Sequence, residues 1–170
     1  MMKYRIIRWF AYTLELLTVF ILQETPGLFP EVCGARPVAV LPAVLAIAMF
    51  ETEIPSMVFG LVGGLLIDFG LGGLLGFHAL ILAAVCYFVS VMASDLFQTN
   101  FLTSLIVVTL VTFAVMALQW ACFYVLYGYR NILYALTAHY LPIAAYTVVL
   151  TPVAYYFNRA IATQIRSREE

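Results

Sequence analysis

Charged residues are scarce in this chain of 170 residues, where Asp, Glu, Lys and Arg make up 10% of the sequence. Soluble domains contain about 25% charged residues. Hydrophobic residues instead reach 65%, and the mean hydropathy is +1.03. This composition excludes a soluble globular protein. The formal net charge of −1 provides no basic surface to neutralise phosphates, which argues against nucleic-acid binding.

Paired cysteines and catalytic motifs are also absent. Of the three cysteines, Cys33 lies in a predicted outer loop and Cys86 and Cys122 lie within apolar runs, a pattern that does not resemble a disulfide framework or a CxxC metal site. The sequence contains no GxSxG motif, no HExxH motif and no phosphate-binding loop. We therefore expect that the protein is not an enzyme and binds neither a metal nor a cofactor.

Long apolar runs, separated by proline, glycine and charged residues, occupy most of the chain. They are typical of transmembrane helices, which need about 20 residues to cross a hydrocarbon core about 30 Å thick. We predict an all-α polytopic membrane protein in which residues 1–170 form a single transmembrane domain. The predicted spans lie near residues 6–24, 38–50, 55–70, 75–95, 102–127 and 140–159. The second and third of these are short, so five spans remain an alternative to six.

The positions of Lys and Arg predict the orientation in the bilayer. With six spans and a cytoplasmic N-terminus, the residues that face the cytoplasm are Lys3, Arg5, Arg8, Arg159, Arg166 and Arg168. Only Arg36 and Arg130 then face outward. Because cytoplasmic segments of membrane proteins carry the excess of Lys and Arg, this bias predicts an even number of spans with both termini in the cytoplasm.

A stripe of small residues that includes one acid runs along the third predicted span. Gly60, Gly64, Asp68 and Gly72 recur every four residues and therefore share one helix face. Glycines on such a face let a neighbouring helix approach closely. An acid inside a span is costly unless it is hydrogen-bonded, paired or protonated. We expect Asp68 to form a packing hydrogen bond, with contact to a partner or ligand as the alternative.

Three more polar residues are candidates for structural or partner-binding roles. The six-span arrangement places Asp68, His78 and His139 in the outer half, where we expect a hydrogen-bonded clasp between three helices. Two histidines and a carboxylate could bind zinc, but their spacing matches no zinc motif. Glu15 lies within the first span and should face the bundle or a partner helix rather than lipid.

Three stretches of the sequence resemble a known family. They are QETPGLFPEVCGARP after the first span, LPAVLAIAMFETEIPSMVFGLVGGLLIDFGLGGLLGFHAL through the middle, and HYLPIAAYTVVLTP in the last span. The middle stretch is the most specific, because it combines a short span, an acidic turn, a glycine-rich span ending in Asp, and LGFHAL. Together they resemble the rod shape-determining protein MreD family of bacteria over nearly the whole chain.

The resemblance implies a small multi-pass protein of the bacterial inner membrane that belongs to the cell-elongation machinery. It implies direct binding of the bitopic protein MreC and proximity to the actin-like MreB, the glycosyltransferase RodA and its transpeptidase. On this interpretation the chain catalyses nothing and arranges the helices of other proteins.

Two other functions remain open. The family is similar in plan to the substrate-binding subunits of energy-coupling-factor vitamin transporters, which also have six helices. Those subunits dock through an AxxxA-like motif in the first span, whereas Ala11 is followed here by Glu15 four residues later. An outer polar cluster with aromatic walls could also recognise a lipid headgroup.

Overall fold

The computed structural model describes residues 2–30, 35–71, 75–95, 100–125, 134 and 136–166. These residues fold almost entirely as helices, which confirms the predicted all-α class. The α-helices are α1 (Met2–Glu24), α2 (Val40–Phe50), α3 (Glu53–Leu71), α4 (Phe77–Asp95), α5 (Phe101–Trp120), α6 (Leu141–Val149) and α7 (Thr151–Arg166). The π-helical turn Ala121–Val125 directly follows α5, and a second π-helical turn, Leu136–Tyr140, directly precedes α6.

Five stretches of the described chain are long and apolar enough to cross a membrane. They are Arg5–Glu24, Glu53–Leu71, Phe77–Ser94, Phe101–Phe123 and Leu136–Gln164. α2 is also apolar but has only 11 residues. At 1.5 Å per residue it measures roughly 16 Å, about half of a hydrocarbon core. The structure thus supports a multi-pass membrane protein with five candidate spans and a shorter apolar helix, and six spans with cytoplasmic termini stay a prediction.

The short helix α2 forms the centre of the bundle. Its sequence, VLPAVLAIAMF, has no polar side chain on any face, and every residue from Val40 to Met49 is buried. A helix that is hydrophobic all round belongs in an interior. α2 packs against α1, α3, α4 and α7, and smaller contacts reach α5 and α6. Because protein rather than lipid surrounds α2, its length need not match the thickness of the hydrocarbon core.

Two polar contacts show that α2 runs back along α1. The side-chain carbonyl of Gln23, at the end of α1, accepts a hydrogen bond from the Val40 backbone N–H at 3.2 Å. Arg8, near the start of α1, pairs with Glu51, the residue that follows α2. α3 then turns back again and runs parallel to α1, since Phe59 contacts Tyr12 and Gly70 lies beside Glu24. α4 packs along α3.

The last predicted span, near residues 140–159, forms as two helices. α6 ends at Val149, and α7 begins at Thr151 and continues to Arg166. Pro152 lies in the first turn of α7, where its missing N–H does not interrupt a helical hydrogen bond. A hydrogen bond of 3.0 Å from the Val38 N–H to Thr147 Oγ1 attaches α6 to the segment before α2.

Candidate functional site

Asp68 lies near the end of α3 and caps the start of α4. Its Oδ2 accepts hydrogen bonds from the backbone N–H groups of Gly76 at 2.8 Å and Ala79 at 3.4 Å. Its Oδ1 accepts the His78 N–H at 3.1 Å and lies 2.7 Å from His78 Nδ1, which donates in the Nδ1-protonated tautomer. The first N–H groups of a helix have no partner within the helix. Asp68 supplies that partner from the preceding helix. The side chains of Asp68 and His78 are both almost fully buried, and their hydrogen bonds make this burial tolerable.

His139 does not join this pair. It lies in the π-helical turn Leu136–Tyr140, its side chain is exposed, and its ring contacts that of Tyr140. Among the residues that the structure describes, no three His, Cys, Asp and Glu side chains lie close enough to hold a metal ion. The expected clasp between three helices is therefore corrected to a clasp between α3 and α4. The six-span arrangement places His139 only at a depth in the membrane, and this depth does not determine which helices its side chain contacts.

The glycine stripe lies at the contact between α3 and α4. A Cβ at Gly60 would lie 2.5 Å from the Leu82 carbonyl oxygen, and one at Gly64 would overlap the backbone of Ala79. A neighbouring glycine, Gly63, meets Val44 of α2 in the same way. Gly60 and Gly64 thus allow close packing inside this chain. Gly72, the fourth member of the predicted stripe, lies outside the described residues, as do Cys33 and Arg130.

An ion pair joins the start of α1 to the turn between α2 and α3. Arg8 Nε lies 2.5 Å from Glu51 Oε1, and Arg8 Nη2 donates to Glu51 Oε2 at 3.3 Å. The backbone carbonyl of Glu51 also accepts hydrogen bonds from Ser90 Oγ at 2.7 Å and Ser56 Oγ at 3.3 Å. Because these residues belong to α1, α3, α4 and the turn after α2, the cluster holds four parts of the bundle together at one end.

Glu15 faces the bundle and contacts α7. Asn158 Nδ2 donates to Glu15 Oε1 at 2.7 Å and to the Ala154 backbone carbonyl at 2.9 Å. Glu15 is 7% exposed and Asn158 is 0% exposed. Within the described part of the chain, Glu15 Oε2 and Asn158 Oδ1 are buried and have no hydrogen-bond partner. The pair therefore joins α1 to α7 and retains two hydrogen-bond acceptors.

A groove of about 560 Å³ lies beside this pair. We call it the α1–α7 groove. Its lining residues come from α1, from Phe29 after α1, from α2 with the residue before it, and from Leu150 and α7: Ala11, Leu14, Glu15, Thr18, Val19, Leu22, Phe29, Ala39, Pro42, Ala43, Leu150, Val153, Ala154, Phe157 and Ile161. Glu15 is the only ionisable residue among them. The groove thus has apolar walls around one carboxylate.

A family model described as rod shape-determining protein MreD matches residues 3–160 of the chain. The chain belongs to the MreD family. No curated protein and no solved structure matched it. The matched range contains every polar contact described above, from Arg8 to Asn158. This MreD-family chain is therefore a multi-pass membrane protein involved in rod-shape determination, and its family is part of the rod-shape complex with MreC and MreB.

The family is one of structural, shape-determining proteins and is not known for enzymatic activity. In this MreD-family chain, the sequence pattern identified Glu15, Asp68 and His78 as buried polar groups, but Asn158 and the pairing of Arg8 with Glu51 were missed. The signal for Asn158 was an amide inside an apolar span. The signal for the ion pair was topological, because six spans with a cytoplasmic N-terminus place both Arg8 and the turn after the second span on the cytoplasmic side.

Proposed function

We propose that this chain is a non-catalytic subunit of the bacterial cell-elongation complex in the inner membrane. It binds the single transmembrane helix of MreC and acts with MreB, RodA and the transpeptidase partner of RodA during peptidoglycan synthesis. The family match over residues 3–160 carries this proposal. It supports the rod-shape role, and the assignment of individual partners is our inference.

The arrangement of polar groups is consistent with a scaffold. Asp68, His78 and the ion pair of Arg8 with Glu51 connect helices of the same chain. Gly60 and Gly64 also pack within the chain. These contacts would stabilise one arrangement of helices on which partner helices assemble. The mechanism is binding of partners in a preferred arrangement, since a protein biases an equilibrium only through different affinities for its states.

Co-purification tests the proposal directly. The tagged chain is extracted in mild detergent after co-expression with MreC, and separately after co-expression with the coupling module of a vitamin transporter. We expect recovery of MreC in a fixed ratio and no recovery of the coupling module. Recovery of the coupling module without MreC would contradict the scaffold function and would favour a transporter subunit.

Depletion and complementation provide the cellular test. Cells depleted of the endogenous MreD-family protein should lose their rod shape, and expression of this chain should restore it. Restoration should fail for a variant that is inserted normally but does not recover MreC. If such a variant restored the shape fully, binding of MreC would not be the function of this chain.

A further inference from the structure

The α1–α7 groove has the shape of a helix-binding site. Two sets of five residues line its long sides, one from α1 and one from Leu150 and α7. The α1 set is Ala11, Leu14, Glu15, Thr18 and Leu22, and the other set is Leu150, Val153, Ala154, Phe157 and Ile161. Each set follows the spacing i, i+3, i+4, i+7 and i+11, which is one face of an α-helix. The two faces run antiparallel, because Gln23 at the end of α1 and Thr147 just before α7 both bond to the start of α2. Each face extends for roughly 16 Å at 1.5 Å per residue. They form the walls of an elongated groove.

The groove opens toward the outside of the bundle. Residues at its rim are exposed, with Leu14 at 56% and Val153 at 69% exposure. Residues at its floor are buried, with Ala43 at 2% and Glu15 at 7%. Ala39 and Ala43 of the floor are small, and small residues let the backbone of another helix approach closely in a membrane. An occupant can therefore enter from the lipid side and reach Glu15.

The carboxyl group of Glu15 indicates which hydrogen-bonding group a molecule bound in the groove should carry. Glu15 lies near the middle of the candidate span Arg5–Glu24, and its Oε2 is a buried oxygen without a partner in the described chain. Asn158, behind it, is fully buried and already donates to Glu15 Oε1. A buried polar atom without a hydrogen bond is unfavourable in hydrocarbon. The occupant should therefore bring a hydrogen-bond donor to the middle of the membrane.

A transmembrane helix meets this requirement better than a lipid. The acyl chain of a phospholipid has no donor at that depth, and its headgroup lies at the interface about 15 Å away. A helix can carry Ser, Thr, Asn, Gln, Lys or Arg in its middle and lay its apolar face in the groove. We propose that the α1–α7 groove binds a single transmembrane helix of a partner protein, and that a donor side chain near the middle of that helix bonds to Glu15.

This inference rests on the proposed function, which supplies MreC as the partner to test. Ala154→Phe would fill the groove from a half-buried position on α7. Ala160→Phe introduces the same ring at an exposed position of the same helix that does not line the groove. We expect Ala154→Phe to lower recovery of full-length MreC by about tenfold, the scale of one lost interhelical contact of 1–2 kcal/mol. Ala160→Phe should leave recovery unchanged.

Glu15→Leu and Glu15→Gln test the polar contact separately. Leu removes both oxygens, whereas Gln keeps one oxygen for Asn158 and replaces the other with a donor. Both should lower MreC recovery, and Gln should do so while preserving the elution profile of the chain alone. If Glu15→Gln and Ala154→Phe both recover MreC like the unmodified chain, the groove is not the binding site, although the proposed function stands. Failure of the unmodified chain to recover MreC would overturn both.

Photo-crosslinking identifies the occupant. Benzoyl-phenylalanine is placed at Val153 on the rim, and as a control at Leu80 of α4, which is 73% exposed and does not line the groove. A crosslink from position 153 to the MreC transmembrane segment, absent from position 80, supports the proposal. A crosslink from position 153 only to a second copy of the chain, only to phospholipid or only to a vitamin-like small molecule overturns it.

Discussion

Asp68 shows how a single acid can be accommodated inside an apolar bundle. Four donor groups surround its two oxygens, comprising three backbone N–H groups and one ring nitrogen. The backbone donors belong to the start of α4 and to Gly76 just before it, where N–H groups lack partners within a helix. Gly76 itself has a φ of +98°, a conformation that glycine adopts without strain. The turn at Gly76 thus supplies backbone donors to Asp68, and Asp68 supplies their acceptor.

Asp68→Leu should destabilise the protein more than Asp68→Asn. Leucine leaves every donor at this site without its acceptor, and each unsatisfied buried group costs about 1–3 kcal/mol. Asparagine keeps one acceptor oxygen but presents an amide to some of the same donors. We expect a clear fall in the thermal unfolding midpoint for Leu and a smaller fall for Asn, measured by size-exclusion chromatography after heating in detergent. Equal midpoints for the two variants would contradict the capping role.

The ion pair between Arg8 and Glu51 should show energetic coupling. Arg8→Met removes the guanidinium beside a carboxylate whose side chain is 1% exposed, and Glu51→Gln removes the charge of that carboxylate. A buried charge that loses its partner is costly, whereas removal of both charges is tolerated better. We expect the double variant to be more stable than the sum of the single effects predicts, by about 1–3 kcal/mol. Simple additivity in a double-mutant cycle of unfolding would show that the pair contributes no coupling.

At the scale of elements, the contact between α3 and α4 depends on glycine. Gly60 and Gly64 bring the two helices so close that an added Cβ would meet main-chain atoms of α4. Main-chain atoms of a packed helix cannot move aside without shifting the helix. This contact therefore limits which substitutions α3 tolerates, more strictly than its hydrophobic composition does.

Gly64→Ala and Gly70→Ala make a matched pair on α3. At Gly64 the new methyl group would meet the Ala79 backbone, whereas at Gly70 it would meet the carboxylate of Glu24, the end of a flexible side chain. We expect Gly64→Ala to cost about 1–3 kcal/mol through overpacking. Gly70→Ala should be neutral or stabilising, because Ala favours helix over Gly by about 1 kcal/mol. Thermal unfolding in detergent measures both, and an equal loss at both sites would refute close packing as the cause.

At the scale of the whole molecule, the number of membrane crossings, five or six, depends on whether α2 counts as a crossing. The described chain has five stretches that could each cross a bilayer, and α2 adds a shorter apolar helix that runs back along α1. A buried helix need not match the bilayer thickness, since other helices pack around it. α2 reverses the direction of the chain between α1 and α3, as the predicted even number of crossings would require.

Cysteine labelling tests the predicted orientation. In a variant with Cys86→Ala and Cys122→Ala, Cys33 is the remaining cysteine and the predicted arrangement places it outside. An impermeant maleimide should label it in intact spheroplasts. In the same background with Cys33→Ala and Ser167→Cys, labelling should require permeabilisation. Labelling of Ser167→Cys in intact spheroplasts would place the C-terminus outside and would contradict the predicted cytoplasmic C-terminus; together with external labelling of Cys33, it would also contradict an even number of crossings.

Composition and residue order alone determined the class of the protein and several of its buried groups. An excess of apolar residues in long runs permits only helices in a bilayer, because every backbone polar group must be satisfied within its own segment. Four-residue spacing placed Gly60, Gly64 and Asp68 on one face, and this rule holds because α3 is a regular α-helix over that range. No such spacing rule applied to His139, whose predicted contact with Asp68 and His78 depended on how three separate helices are arranged.

Only the tertiary structure decided which groups meet. Asn158 and Glu15 are 143 positions apart in sequence, and the segments of Arg8 and Glu51 are joined through a whole helix hairpin. Such contacts depend on how helices are arranged around α2, and lipid-facing and protein-facing apolar surfaces have the same composition. For the same reason, no pattern of residues in the sequence predicted the α1–α7 groove. Its walls are ordinary apolar helix faces, and it exists because α2 lies between α1 and α7 without filling the space that they leave open.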